Sequence, residues 1–138
     1  MTDALVTRWG VERVRAAAIV AGGAAGTLAR AGIAEALPHG GGEWPWATFV
    51  VNLAGTALLA WWTTRLAEMV APTRFWRFLL GTGVCGALTT FSTFQVETIR
   101  LARDGGAALA AGYAAASLAA GIALAVAATV LARRRRYG

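Results

Sequence analysis

Apolar residues fall into four long runs, separated by short joints that carry charge, glycine or proline. The runs extend over approximately 16–37, 46–66, 75–99 and 107–131. A bilayer's hydrocarbon core, about 30 Å thick, takes roughly 20 helical residues to cross. Each run meets that length, and together they nearly exhaust the chain. The pattern predicts an all-α membrane protein, with 1–138 forming one four-span membrane domain.

Polar residues interrupt two of the runs in an ordered way. In the second, Thr48, Asn52 and Thr56 recur every four residues, which stacks them on one helical face. In the third, Gly81, Gly83 and Gly86 precede Thr89-Thr90-Phe91-Ser92-Thr93-Phe94-Gln95. Such a segment is a poor lipid-facing helix, because irregular backbone at membrane depth survives only when buried in protein or lining a cavity. A helix broken near the midplane follows, and transport proteins use such breaks to bind ions. Gly22 and Gly26 form a GxxxG pair that admits a second helix closely. Trp44, Trp46, Trp61 and Trp62 mark the ends of the second run, where amphipathic rings favour the headgroup level.

Composition narrows the classes. The 138 residues are 57% hydrophobic and only 14% charged, too few charges for the surface of a soluble domain this small. The net charge of +6 comes from 13 basic residues, all arginine and mostly at run ends, where a membrane protein places them, so no nucleic-acid partner is expected. The single Cys85 rules out an intrachain disulfide and a multi-cysteine metal site. His39 reads as a bland residue of a glycine-rich joint. Ala34-Glu35-Ala36 resembles a signal-peptide cleavage site, but Arg30 falls between it and the apolar stretch. Gly81-Thr82-Gly83-Val84-Cys85-Gly86 matches the dinucleotide fingerprint in letters alone. It lacks the flanking strand and the acidic residue about 20 positions on.

Arginine placement sets an orientation. With four spans both termini share a side, and that side carries Arg8, Arg13, Arg15, Arg65, Arg74, Arg77 and the run Arg133–Arg136. The other side has Arg100, Arg103 and, where it reaches that interface, Arg30. The imbalance places both termini in the cytoplasm; anionic membrane lipid is a second reading of the terminal arginines, which a topology anchor explains more cheaply.

The hydroxyl-rich run has a packing reading, in which Ser and Thr bond back to helix carbonyls, and an ion-path reading. Gly83-x-Cys85-Gly86-Ala87-Leu88-Thr89-Thr90-Phe91-Ser92-Thr93-Phe94 resembles the signature of the Fluc/CrcB fluoride-channel family. Gly22-Gly23-x-x-Gly26-x-x-x-Arg30 and Val51-Asn52-Leu53-x-Gly55-Thr56 are similar to that family too. The resemblance implies a fluoride-selective channel that exports cytoplasmic fluoride passively, not an enzyme. It also implies an antiparallel dual-topology dimer. On it, Asn52, Phe91, Ser92, Thr93, Phe94, Tyr113 and Ser117 line the path, and Arg30 stands near the vestibule. The carbonyls of Gly86 and Thr89 hold a structural sodium ion at the dimer interface, and Glu97 is a carboxylate following the break. Ala87 departs from the pattern where a second glycine is common, as does Gly121 where the hydroxyl track can continue.

The chemistry is coherent beside the resemblance. Fluoride is small and strongly hydrated, so a dry path must replace its water with close hydrogen-bond donors, held weakly enough for exit. An anion leaving a negative-inside cell gains about 2.3 kcal/mol per 100 mV, so no energy source is required. An antiparallel homodimer needs one sequence to insert both ways, which favours a weak arginine bias. The strong bias here predicts a homologous partner chain of opposite orientation, with a homodimer as the alternative. The competing classes are a four-span dual-topology drug exporter, which needs a membrane-embedded carboxylate, and a non-transporting assembly subunit.

Overall fold

A computed structural model describes residues 2–67 and 74–134. Helix α1 (Thr2–Ala36) and α2 (Trp46–Ala67) are followed by α3 (residues 74–88), α4 (residues 91–105) and α5 (Ala107–Arg134). No strand occurs among the described residues. Arg135 and Arg136 of the terminal arginine run lie outside them.

Helix α1 starts at Thr2, well ahead of the apolar run expected from residue 16. Within the charged head Arg15 donates to Glu12 at 2.9 Å, an i,i+3 contact that favours helix there. The same guanidinium lies 4.3 Å over the Phe78 ring, tying the head to α3. Helix α2 keeps close to its expected bounds, ending one residue later than its apolar run.

Helix α3 is wound as a π-helix over Arg77–Cys85, a geometry whose extra residue per turn is tolerated in short pieces and recurs at functional sites. It lies along α1, and glycine makes the approach possible. A Cβ on Gly83 would sit 2.8 Å from the Gly22 Cα, and a Cβ on Gly26 would strike the Val84 carbonyl. The Gly22/Gly26 pair thus meets backbone, not side chains. Helix α2 lies along α5.

Thr89 and Thr90 are extended (φ −80°, ψ 153° and φ −146°, ψ 119°) and separate α3 from α4. Thr89 finishes α3 by donating both its N–H and its hydroxyl to the Cys85 carbonyl, at 3.1 and 2.9 Å. Thr90 opens α4 as its N-cap, its hydroxyl accepting from the Thr93 N–H at 3.2 Å.

Buried apolar residues run the length of the bundle, from Ala18, Leu66 and Ala132 to an aromatic cluster at the other end. Leu101, Ala110 and Tyr113 are buried there, with Trp44, Phe49, Phe94 and Leu109 packed around them. The joint between α1 and α2 docks on the turn between α4 and α5. Gly42 (φ 78°) and Gly105 meet so closely that a Cβ on Gly105 would come 2.7 Å from the Gly42 carbonyl oxygen. The outer surface is apolar: Val20 and Leu28 on α1 are 71% and 73% exposed, and Leu118 on α5 is 67% exposed. Gly10–Ala36 and Ala107–Arg134 are each long and apolar enough to cross a bilayer.

Candidate functional site: a polar seam beside the α3–α4 junction

Leaving helix at Thr89 and Thr90 strips backbone groups of their usual partners, and a buried peptide group without a partner is costly. Asn52, midway along α2, repairs the loss. Its Nδ2 donates to the Thr90 carbonyl at 3.1 Å, and its Oδ1 accepts the Thr90 N–H at 2.8 Å. One residue's peptide groups are therefore clamped by one amide side chain. The side chain retains a second N–H for another acceptor.

The clamp has a consequence one turn back. In a continuous helix the Thr90 N–H would bond the Gly86 carbonyl. Directed to Asn52, it leaves that carbonyl free of its i+4 donor, at an exposed glycine whose Cβ position meets nothing within 4 Å. A free carbonyl oxygen is a hard donor, and the one at Gly86 stands open at the junction.

On the α4 side the hydroxyls form a local network. The Thr90 hydroxyl donates to Thr93 Oγ1 at 2.9 Å and stands 3.4 Å from Ser92 Oγ. Phe91 and Phe94 stack with centroids 6.1 Å apart. Phe91 is 72% exposed, whereas half-buried Phe94 rests 5.2 Å from the Tyr113 ring. Ser117, one turn beyond Tyr113 on α5, has a buried hydroxyl oxygen with no hydrogen-bond partner among the described residues.

Glu97 is the buried charge-bearing group of the seam, only 6% exposed. Thr48 donates to its Oε1 at 2.9 Å and Tyr113 to its Oε2 at 3.3 Å. Occupying both oxygens as acceptors suits a carboxylate. His39 Nε2 lies 3.7 Å from Oε1. The reading of His39 as a bland joint residue is thereby corrected: docking of the glycine-rich joint on the α4–α5 turn carries its imidazole to Glu97.

A cavity of about 270 Å³ adjoins this group, with Arg30, Thr48, Thr90, Thr93, His39 and Glu97 in its wall. The fold therefore brings Arg30 and Thr93 to one cavity, puts Asn52 behind its wall at Thr90, and sets Phe94 and Tyr113 beside it. Phe91 and Ser92 face outward from the start of α4. Local sequence gave no signal for Glu97 joined to Thr48, Tyr113 and His39. The four-residue stripe that carries Thr48 and Asn52 was its nearest trace.

Helices with apolar outer faces, packed through glycine around a seam of hydroxyl, amide and carboxylate groups, define a helical membrane protein with a polar interior. The profile of the CrcB-like proteins, described as Camphor Resistance (CrcB), matches residues 17–129, and the chain belongs to that family. Among its relatives, the fluoride-specific ion channel FluC 1 of Mycobacterium tuberculosis is 48% identical over 120 residues, covering 87% of this chain and 91% of the relative. FluC 1 of Mycolicibacterium paratuberculosis matches at the same identity and coverage. The fluoride-specific ion channel FluC of Chlorobaculum tepidum is 44% identical over 117 residues, or 82% of this chain and 90% of the relative.

Proposed function

We propose that this chain is a subunit of a fluoride-selective channel that lets cytoplasmic fluoride leave the cell passively. Its membership of a family whose close relatives are named fluoride-specific ion channels carries the reading. The seam supplies fitting chemistry: donors without fixed positive charge at Asn52, Ser92, Thr93 and Ser117, the Tyr113 hydroxyl where it turns from Glu97 to the ion, and the rings of Phe91 and Phe94. A ring's positive edge contacts an anion, and hydroxyl and amide donors replace its water while binding weakly enough for exit. Arg30, in the cavity wall, raises the local anion concentration there. The protein is a passive channel, not an enzyme.

The chain forms one four-span domain of the cell membrane, with both termini cytoplasmic and Thr89–Thr90 near the bilayer midplane. It pairs antiparallel with a second subunit, a homologue of opposite orientation, and the exposed Phe91 and Gly86 face that subunit. A sodium ion on the Gly86 and Thr89 carbonyls would lend positive charge at the junction; this chain's part is to hold those carbonyls free through Asn52.

Fluoride efflux from liposomes containing the purified chain, read with a fluoride electrode against a chloride control, tests the reading. Selective fluoride efflux supports it and shows that the chain pairs with itself. Silence both alone and with an opposite-facing homologue overturns it.

A further inference from the structure

The imidazole of His39 and the carboxylate of Glu97 form a shared wall between two spaces. On the inner side lies the cavity of about 270 Å³ that reaches Arg30, Thr90 and Thr93. On the outer side lies a smaller one of about 80 Å³, lined by Gly40, Gly41, Gly42 and Arg100. Both residues belong to both linings, so an anion in the inner cavity or at the glycine-lined mouth meets this pair.

We infer that His39 sets anion access to the inner cavity through its protonation state, admitting fluoride more readily when the imidazole is charged. This rests on the fluoride-channel reading above. With the imidazole neutral, the negative charge of the Glu97 carboxylate offsets Arg30 in the cavity they share, so little net positive field draws an anion in. The imidazolium, 3.7 Å from Oε1, cancels that charge and leaves Arg30 as the net field inside. Histidine is the side chain whose ordinary charge change falls between pH 5 and 8.

The surrounding groups favour this assignment. The titratable and charged side chains around His39 are Arg30 of α1, Glu43 of the joint, Glu97, Arg100 and Asp104 of α4, and Tyr113 of α5; α2 presents Thr48. Glu43 is held by the Gly40 N–H at 2.9 Å, and Asp104 packs against Gly41. Among the described residues, Glu97 is the acid within ion-pair distance of the imidazole. The His39 side chain is 27% exposed, so protons reach it from the mouth. The sign follows: acid favours the charged imidazole and so the higher access, and base the neutral one and the lower.

Fluoride currents in planar bilayers test this, because neutral hydrogen fluoride crossing the lipid carries no current. The wild-type chain, with its opposite-facing homologue where it needs one, is compared at pH 5.5 and 7.5. The expected current at pH 5.5 exceeds that at pH 7.5 by roughly three- to tenfold. His39→Gln stays low and nearly flat with pH, while His39→Lys stays high and nearly flat. A wild-type current that is flat or falls with acid overturns the inference, as does a His39→Gln channel that keeps the wild-type ratio. Absence of fluoride current from every form at both pH values overturns the channel reading instead. A measurement independent of conduction uses the chain's single histidine. Its imidazole nitrogen resonances at pH 5.5 shift in Glu97→Gln, and unchanged resonances overturn the pairing.

Discussion

The amide of Asn52 holds both backbone groups of Thr90, donating to its carbonyl at 3.1 Å and accepting its N–H at 2.8 Å. A side chain on α2 thus does what the next turn of helix would otherwise do at the α3–α4 junction. Asn52→Leu fills similar volume but leaves a part-buried peptide N–H and carbonyl unpaired, at about 1–3 kcal/mol for each unsatisfied group. Thermal unfolding in detergent is expected to show that loss together with a collapse of fluoride flux. Asn52→Asp keeps the acceptor for the N–H and loses the donor, so its stability falls less while flux still falls. Equal stability in all three proteins would remove Asn52 from the junction.

The same clamp predicts coupling between Asn52 and cation binding. The Gly86 carbonyl is free because the Thr90 N–H is directed to Asn52, and Asn52→Leu removes the group that holds the junction in that open form. Raising sodium from low to high concentration is expected to raise the unfolding temperature of the wild-type chain. In Asn52→Leu it is expected to do so by clearly less. A ligand that binds only the folded state at 100 times its Kd contributes about 2.7 kcal/mol, a shift easily read by thermal melts. An identical sodium response in both proteins would separate Asn52 from the carbonyl site.

Glycines of α1 and α3 that look alike in sequence are expected to behave differently. A Cβ on Gly83 meets the Gly22 Cα at 2.8 Å, whereas a Cβ on Gly23 meets nothing within 4 Å. Backbone-to-backbone crowding has no flexible side chain to give way, so Gly83→Ala forces the helices apart, at about 1–3 kcal/mol. Gly23→Ala gains helix propensity at no steric cost and is expected to be neutral or slightly stabilising. Recovery of folded protein on size-exclusion chromatography, with thermal melts of the two variants, checks the contrast.

What sequence showed and what it hid divide along contact range. Helix α2 (Trp46–Ala67) follows its apolar run closely because a run of apolar residues is a local property. Helix α1 exceeds its run because a charged head is helical when its own i,i+3 pairs hold it, which hydropathy does not register. The hydroxyls and phenylalanines from Thr89 to Phe94 stand out by composition. Their partners do not, since Asn52 and Thr90 are 38 residues apart and Thr48 and Glu97 are 49 apart. His39 was least legible of all: two joints with no shared pattern must dock, Gly42 on Gly105, before its imidazole reaches Glu97.

Phe94 separates pore function from packing. It is half-buried, stacked 6.1 Å from Phe91 and 5.2 Å from Tyr113, so a branched aliphatic side chain keeps much of its contact area. Phe94→Ile is expected to abolish fluoride flux while the protein elutes and melts much as wild type. The cost of such a large-to-medium exchange at a half-buried site is roughly 1 kcal/mol. Unchanged flux would take Phe94 out of the path, and loss of the folded protein would make it a packing residue.

The last prediction concerns orientation and follows from charge alone. Arginines stand at the outer ends of the first and last runs, Arg13, Arg15, Arg133 and Arg134, and on the four-span topology proposed above they share one side with both termini. Excess arginine holds its side in the cytoplasm. A C-terminal tag read by protease or label accessibility in intact cells is therefore expected to be cytoplasmic in nearly every copy. An antiparallel dimer cannot form from copies that all face one way, so this result would make a homologue of opposite orientation obligatory. Expressing the chain alone in fluoride-sensitive cells would then give little protection, and adding the homologue would restore it. An even inside-and-outside split would show instead that the arginine bias yields to pairing and that the chain assembles with itself.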